Sequence, residues 1–220
     1  MKLKGAEIVW ECLTREGVEV VFGYPGGANM PIYDAMLNYP VHHVLVRHEQ
    51  GAAHMADGYA RASGKVGVAM ATSGPGATNL VTGICTAMMD SVPTVFITGQ
   101  VAAHLIGGDA FQETDVTGIT LPITKHNYLV TRADQIAETI REAFYIARSG
   151  RPGPVLIDVC KNAQIESCEF VFPEDVKLPG YQPVLRSPKN LVDQAVELIE
   201  RAKKPIILCG HGVLMSKAEE

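Results

Sequence analysis

The chain alternates short apolar runs with longer stretches in which apolar residues return every three or four positions. The apolar runs lie in "VEVVF", "VHHVLVRH", "KVGVAMATS", "VPTVFITG", "TKHNYLV" and "RPGPVLIDVC". Strand-like runs that alternate with helical periodicity are typical of a parallel sheet. The pattern therefore predicts an α/β fold with a doubly wound, mostly parallel sheet flanked by helices.

The predicted helices carry start and stop signals. The first, "AEIVWECLTREG", is apolar on one face and stops at Gly17. A second helix over residues 49–63 follows "VHHVLVRH" at once, and a third short one is expected in "NMPIYDAMLN". The most regular helix lies in "ADQIAETIREAFYIARSG". At its start, Thr131, two residues before this segment, and Asp134 are expected to form a capping box.

Two segments break this alternation. Residues 100–124 have poor periodicity and frequent glycine, which indicates a long functional loop with at most a short helix near residues 111–115. Much later in the chain, four prolines between residues 173 and 188 indicate a linker. After it, "SPKNLVDQAVELIERA" predicts a helix and "KPIILCGHGV" predicts a strand. One helix and one strand cannot bury their apolar faces alone. We therefore expect a domain over residues 1–165, a linker over 166–186 and the start of a second α/β domain over 187–220.

Composition narrows the class of protein. The net charge of −5 argues against a nucleic-acid surface, and no apolar stretch approaches the ~20 residues that span a bilayer. The N-terminal segment carries charges where a signal peptide would be apolar, so a cytoplasmic protein without a membrane partner is expected. Five cysteines without a CxxC motif indicate neither a disulfide framework nor a zinc ribbon. No acidic or histidine cluster has metal-ligand spacing, so no metal site is predicted in the chain.

Glycine-rich segments follow three of the predicted strands. "GYPGGAN", "RHEQGAA" and "TSGPGATN" stand at strand ends, and "ITGQ" leads into the long loop. Ligands of parallel α/β sheets bind at the carboxyl ends of strands, and glycine lets the backbone approach them closely. None of these segments matches a phosphate-binding loop, a GxGxxG fingerprint or a GxSxG nucleophile turn. Ordinary tight turns therefore remain an alternative interpretation for each of them.

Glu49 is the most informative single residue, because it stands where a buried strand meets a buried helix. An acidic residue there could simply offset the helix dipole, an effect of about 0.3–1 kcal/mol. It could instead be a partly buried carboxylate that exchanges a proton with a ligand. A zinc protease is not supported, since "HEQGA" lacks the second histidine of HExxH. From position alone the first two interpretations stay open.

Seven segments in a fixed order carry a family resemblance: "FGYPGGA", "RHEQGAAHMADGYARASGKVG", "TSGPGATNLVTGI", "ITGQV", "IGGDAFQETD", "ITKHNYLV" and "SGRPGPVLIDV". With them the chain resembles the N-terminal, pyrimidine-binding domain of thiamine-diphosphate enzymes, most closely the acetolactate synthase family. The resemblance covers residues 1–160 nearly continuously. "DAFQE" and "KHNYLV" are its most specific parts. It implies a thiamine-diphosphate-binding fold for the first domain.

The resemblance also implies an activity and a set of residues. The family decarboxylates pyruvate and adds the two-carbon unit to a second 2-keto acid in branched-chain amino acid biosynthesis. Glu49 matches the catalytic glutamate that contacts N1′ of the cofactor's aminopyrimidine and so promotes loss of the thiazolium C2 proton. The implied cofactor-binding residues are Tyr24, Pro25, Gly26, Glu49, Thr72, Pro75, Gly76, Asn79, Gln112 and Arg151.

Further cofactors and partners follow from the resemblance alone. Arg151 matches an arginine that touches FAD, and Gln112 would face the active site from the long loop. Magnesium would be held outside this chain, because the family's GDG…N motif does not occur in these 220 residues. We therefore expect the chain alone to be inactive. It would provide half of a site shared between subunits of a homodimer or tetramer, and the resemblance allows for a small regulatory subunit.

Three other functions remain to be weighed. Another thiamine-diphosphate decarboxylase or carboligase, such as glyoxylate carboligase or pyruvate oxidase, would lack "DAFQE" and "KHNYLV". The catabolic, FAD-independent synthase is closer, but Arg151 in "RPGP" favours the biosynthetic type. A non-catalytic domain that binds a partner protein is the alternative from another class.

Overall fold

The computed structural model describes residues 1–218, whose contacts divide into two units, Met1–Pro183 and a C-terminal unit that begins at Val184. The first unit is built on six parallel strands in the order β3-β2-β4-β5-β7-β6. These strands are β2 (Val20–Gly23), β3 (His42–Leu45), β4 (Gly67–Ala71), β5 (Thr94–Gln100), β6 (His126–Val130) and β7 (Pro154–Cys160). The predicted α/β class with a parallel sheet flanked by helices is confirmed.

Helices cover both faces of this sheet. They are α1 (Gly5–Arg15), α2 (Met30–Ala35), α3 (Glu49–Ser63), α4 (Pro75–Thr78), α5 (Val81–Met89), α6 (Val116–Thr120), α7 (Ile136–Arg148) and α8 (Lys161–Ile165). Short 3₁₀ turns lie at Met36–Asn38, Ala103–Leu105, Leu121–Ile123 and Ala133–Gln135. A small antiparallel pair joins β1 (Lys2–Lys4) to β8 (Ser167–Glu169). None of the helices within residues 1–218 is long and apolar enough to cross a bilayer.

Two apolar layers hold the helices to the sheet. One contains Trp10 of α1 and Phe144 of α7, both fully buried, and the Trp10 indole donates a 2.6 Å hydrogen bond to the Ile32 carbonyl. The other contains several alanines, from α3, β4 and α4, packed with larger residues such as Ile84 of α5. A Cβ on Gly83 would stand 2.3 Å from the Ala53 Cβ. The alanines of α3 therefore serve a close contact between the two helices.

Two local predictions need correction. The capping box ahead of α7 uses Gln135, whose side-chain oxygen accepts from the backbone amides of Thr131 and Arg132; the predicted pair of Thr131 and Asp134 is wrong. Arg132 instead pairs with Asp134 at 2.9 Å. The helix of the long loop lies at Val116–Thr120 and not at residues 111–115, because the Asp115 carboxylate caps it by accepting from the Gly118 amide.

The C-terminal unit contains α9 (Lys189–Arg201) and α10 (His211–Met215). The predicted helix is present, but the predicted strand in "KPIILCGHGV" is wrong, since residues 205–210 have no regular structure. A single strand needs a neighbour for its backbone hydrogen bonds, and this unit provides none among the described residues. Within the predicted linker, Ser167–Glu169 pairs with β1. The domain limits proposed from the sequence stay a prediction.

Strand order places a crevice at one edge of the sheet. After β2 the chain crosses to β3 on one side, whereas after β4 it crosses to β5 on the other. The connections that leave β2 and β4 therefore diverge, although the two strands are neighbours. Such a switch point opens a crevice outside the carboxyl ends of the strands, where ligands of α/β proteins bind.

Candidate functional site

Glu49 lies at this crevice, at the first position of α3. Its side chain is buried, with a residue exposure of 9%. The helix is capped by His48, whose Nδ1 accepts a 3.1 Å hydrogen bond from the Gln50 amide. Glu49 Oε2 instead accepts a 2.9 Å hydrogen bond from Asn79 Nδ2, just after α4. The carboxylate is thus directed across the crevice, which favours a role toward a ligand over dipole compensation alone.

The second oxygen of this carboxylate faces backbone that carries no side chain. Oε1 receives no hydrogen bond from the described residues 1–218, and a Cβ on Gly76 would stand 3.2 Å from it. The same Cβ would stand 2.7 Å from Thr72 Cγ2. Gly76 therefore keeps a space open in front of Glu49. A ligand group that donates a hydrogen bond to Oε1 would meet no side chain from Gly76 on its way.

The loop after β2 packs against the loop after β4. Thr72 Oγ1 accepts a 3.1 Å hydrogen bond from the Ala28 amide, and Asn29 Oδ1 accepts a 2.8 Å bond from the Gly26 amide. A Cβ on Gly26 would overlap the Thr72 side chain at 2.5 Å. Tyr24 is tied to β4 by a backbone bond to Met70. The two glycine-containing turns are therefore in close contact. Tyr24 is exposed and lies at the rim of the crevice.

The long loop reaches the same crevice through Gln112. This residue has a φ of 58°, a conformation that L residues rarely adopt. A Cβ on Gly74 would stand 2.7 Å from the Gln112 carbonyl oxygen, so the two loops touch. Its neighbour Phe111 is 88% exposed. Pro75, also exposed, opens α4 on the crevice side of the β4 loop.

The structure thus brings nine of the ten predicted site residues to one edge of the sheet, and leaves Arg151 apart. Arg151 precedes β7 and so lies at the opposite, amino edge. There its guanidinium donates to Ser91 Oγ at 2.7 Å and to the Met89 carbonyl at 3.3 Å. The seven residues of β5 separate the two edges by ~20 Å. Arg151 cannot contact a ligand at the Glu49 carboxylate unless that ligand is extended.

Two buried polar residues, one beside Glu49 and one in β7, were not predicted from the sequence. Tyr33 places its buried hydroxyl 2.3 Å from where a Gly23 Cβ would be. Burial, together with the nearby charge of Glu49, raises the pKa of Tyr33, so this phenol stays protonated. Asp158 is 1% exposed within β7, and burial raises its pKa to about 6. A charged residue inside the apolar run "VLIDVC" is the signal that marks Asp158 in the sequence.

Comparison with known proteins agrees with this geometry. Residues 3–119 match the family described as "Thiamine pyrophosphate enzyme, N-terminal TPP binding domain". Since this match covers more than half of the chain, the chain belongs to that family of thiamine pyrophosphate enzymes.

Its relatives define a narrower group. The chain is 51% identical over its whole length to the acetolactate synthase large subunit of Corynebacterium glutamicum, and it covers 35% of that protein. It is 52% identical, over 99% of its length, to the probable acetolactate synthase large subunit of Methanocaldococcus jannaschii, covering 37% of it. It is 50% identical to the acetolactate synthase large subunit of Haemophilus influenzae, covering 39% of it. The chain therefore spans little more than a third of the length of these relatives.

Proposed function

We propose that this chain is the pyrimidine-binding part of an acetolactate synthase. The observation that carries the proposal is the Glu49 carboxylate, which is oriented by Asn79 and has one oxygen free in front of Gly76. When bound, thiamine diphosphate would supply a nucleophilic carbon for the decarboxylation of pyruvate, which releases CO2 and leaves a two-carbon unit for a second 2-keto acid.

Glu49 would hold a proton between Oε1 and the ring nitrogen of the pyrimidine. Asn79 would fix the orientation of the carboxylate through Oε2, so that Oε1 alone faces the ligand. The buried position limits competition from water, which strengthens this hydrogen bond. Glu49 would therefore tune the basicity of the ring by donating or accepting that proton.

The remaining crevice residues would shape and cover the site. Gly26 and Gly76 would let the flat ring approach the backbone, and Thr72 would hold the two glycine turns together. Tyr24 would line the edge of the ring. Gln112 would meet the substrate from the long loop. Pro75 would contribute the opposite wall.

Magnesium, FAD and partner subunits belong to the complete protein. Magnesium would be held with the diphosphate by residues outside this chain. Arg151 would contact FAD at the amino edge, where its guanidinium is exposed beside Ser91. Apolar side chains exposed around the crevice edge, such as Met30 and Phe111, support a homodimer whose partner completes the site. The name "large subunit" of the relatives supports a regulatory subunit as a further partner.

The proposed substrates and place in metabolism follow from the family resemblance in the sequence. Pyruvate would be the donor, and pyruvate or another 2-keto acid the acceptor, in branched-chain amino acid biosynthesis. A cytoplasmic location stays a prediction from the sequence. On this proposal, the chain by itself would form no acetolactate.

The test is formation of acetolactate from pyruvate by the full-length protein. We expect activity that requires thiamine diphosphate and Mg²⁺ and that falls at least ~100-fold in Glu49→Gln. The matched control is Glu19→Gln, which removes an exposed carboxylate paired with Lys65 and should leave the rate unchanged. Release of acetaldehyde or another product would indicate a different thiamine-diphosphate enzyme. No turnover of any 2-keto acid would favour a non-catalytic binding domain.

A further inference from the structure

A buried polar network beneath the long loop is not used by any step proposed above. Asp158 lies in β7, and its two carboxylate oxygens accept from two residues of the neighbouring strand β5. Thr98 Oγ1 donates to Oδ1 at 2.7 Å, and Gln100 Nε2 donates to Oδ2 at 2.8 Å. The exposure of the three residues is 4% or less. No cation neutralises the carboxylate among the hydrogen-bond partners in the described residues.

Gln100 connects this network to the long loop. Its Nε2 also donates a 2.9 Å hydrogen bond to the Thr114 carbonyl, and its Oε1 accepts from the Val101 amide at 2.9 Å. Both hydrogens of the amide group and its oxygen are therefore engaged. The two acceptors that Nε2 reaches, Asp158 and Thr114, fix the side chain so that it cannot turn away.

Thr114 stands two residues after Gln112, and the intervening Glu113 closes the loop on itself. The Glu113 carboxylate accepts from the amides of Gly107 and Ala110, which lowers its pKa. Glu113 ties the loop only to itself. Among the hydrogen bonds of residues 107–114, the one from Gln100 is the bond that reaches the sheet.

Gln112 needs such an anchor. Its positive φ is unfavourable for an L residue and persists only where surrounding contacts enforce it. A buried ionised carboxylate without a cationic partner is also unfavourable. A chain of hydrogen bonds joins Asp158 through Gln100 to Thr114, two residues after Gln112.

We propose that Gln100 and Asp158 are positioning residues that hold Gln112 in its place at the crevice. They touch neither substrate nor cofactor. Asp158 orients the Gln100 amide, and Gln100 pins the Thr114 carbonyl, so that the loop presents Gln112 in the strained conformation. The proposal that Gln112 meets the substrate rests on the proposed function; the anchoring of the loop does not.

The first test measures the loop itself, by amide hydrogen exchange in the full-length protein. Gln100→Met keeps the length of the side chain but removes both donors. We expect the amides of Gly107, Ala110 and Glu113 to exchange at least ~10-fold faster in this variant. The matched control is Thr98→Val, which also removes one bond to Asp158 but has no bond to the loop. Equal exchange of the loop in wild type and Gln100→Met, or equal acceleration in Thr98→Val, would overturn the proposal.

The second test separates positioning from general support by a double-mutant cycle on acetolactate formation. We expect Gln100→Met to lower kcat/KM ~10-fold in wild type but less than ~2-fold when Gln112 is already alanine. Thr98→Val should change kcat/KM by less than ~2-fold in either background. Multiplicative effects of Gln100→Met and Gln112→Ala would contradict action through Gln112. Faster loop exchange in a protein that forms no acetolactate would reject the proposed function and leave the anchoring intact.

Discussion

Replacing Asp158 by asparagine should make the pH dependence of stability flatter in a calculable way. Burial raises the pKa of Asp158 from its ordinary 3.8 to about 6, and the hydrogen bonds from Thr98 and Gln100 lower it only in part. Between these two values the folded chain binds a proton that the unfolded chain has lost. The free energy of unfolding therefore decreases as the pH rises through this window.

The magnitude follows from the pKa itself. Each pKa unit corresponds to about 1.4 kcal/mol, so ionised Asp158 lowers the free energy of unfolding by about 3 kcal/mol relative to its protonated form. This contribution is fully present below pH 3.8 and lost above about pH 6. Asparagine has nearly the same shape but does not titrate. It can still accept from Gln100 through Oδ1 while Nδ2 faces the Thr98 hydroxyl.

The assay is urea unfolding of wild type and Asp158→Asn at about pH 4 and about pH 7. From about pH 4 to about pH 7, the free energy of unfolding of the variant should rise by about 2–3 kcal/mol relative to that of wild type. Titration of the other carboxylates cancels in this comparison, because both chains contain them. If the difference between the two chains stays the same at both pH values, the prediction is wrong, because the pKa of Asp158 would then be the same in the folded and the unfolded chain.

Three further substitutions test the packing of the crevice and of the core. Gly76→Ala places a Cβ 2.7 Å from Thr72 Cγ2 and should weaken thiamine diphosphate binding to the full-length protein at least ~10-fold, as measured by calorimetry. The control Gly27→Ala has open space around its Cβ and should not weaken binding. Equal effects of the two substitutions would show that the space in front of Glu49 is not needed for the cofactor. Asn79→Ala frees the Glu49 carboxylate to rotate and should lower kcat ~10-fold with little change in cofactor affinity. An unchanged kcat would contradict the orienting role of Asn79. Trp10→Phe removes the 2.6 Å hydrogen bond to the Ile32 carbonyl, which keeps its bond from the Met36 amide, and also removes part of a buried ring. We expect it to reduce the free energy of unfolding in urea by about 1–2 kcal/mol, and a change below ~0.5 kcal/mol would contradict this packing role.

Local signals explain why much of the fold could be predicted from the sequence. The helix over residues 49–63 was placed correctly at both ends, because His48 caps its start and Gly64, with a φ of 71°, ends it. The helix of the long loop was misplaced by five residues. Its start depends on a side chain, Asp115, that caps an amide three residues later, and poor apolar periodicity gave no guide to it.

In the candidate site, too, local sequence signals predicted some of the residues and missed others. Glycine-rich strand ends indicated which residues meet at the carboxyl edge of the sheet, and Glu49 and Asn79 do lie in contact there. Gln100 and Asp158 were missed as functional candidates, because their roles arise from pairing between strands that are 58 residues apart in sequence. Arg151 was grouped with the others by resemblance, although the order of the chain at β7 puts it at the other edge of the sheet. Contacts between distant segments are what a single sequence does not display.

The most direct test of the account is the exchange of the thiazolium C2 hydrogen of thiamine diphosphate for deuterium in the full-length protein. If the Glu49 carboxylate controls the proton on the pyrimidine, Glu49→Gln should still bind the cofactor and slow this exchange at least ~100-fold. Cofactor binding is measured on the same samples, so that a loss of affinity is not mistaken for slow exchange. An unchanged exchange rate in Glu49→Gln with bound cofactor would contradict the role assigned to Glu49.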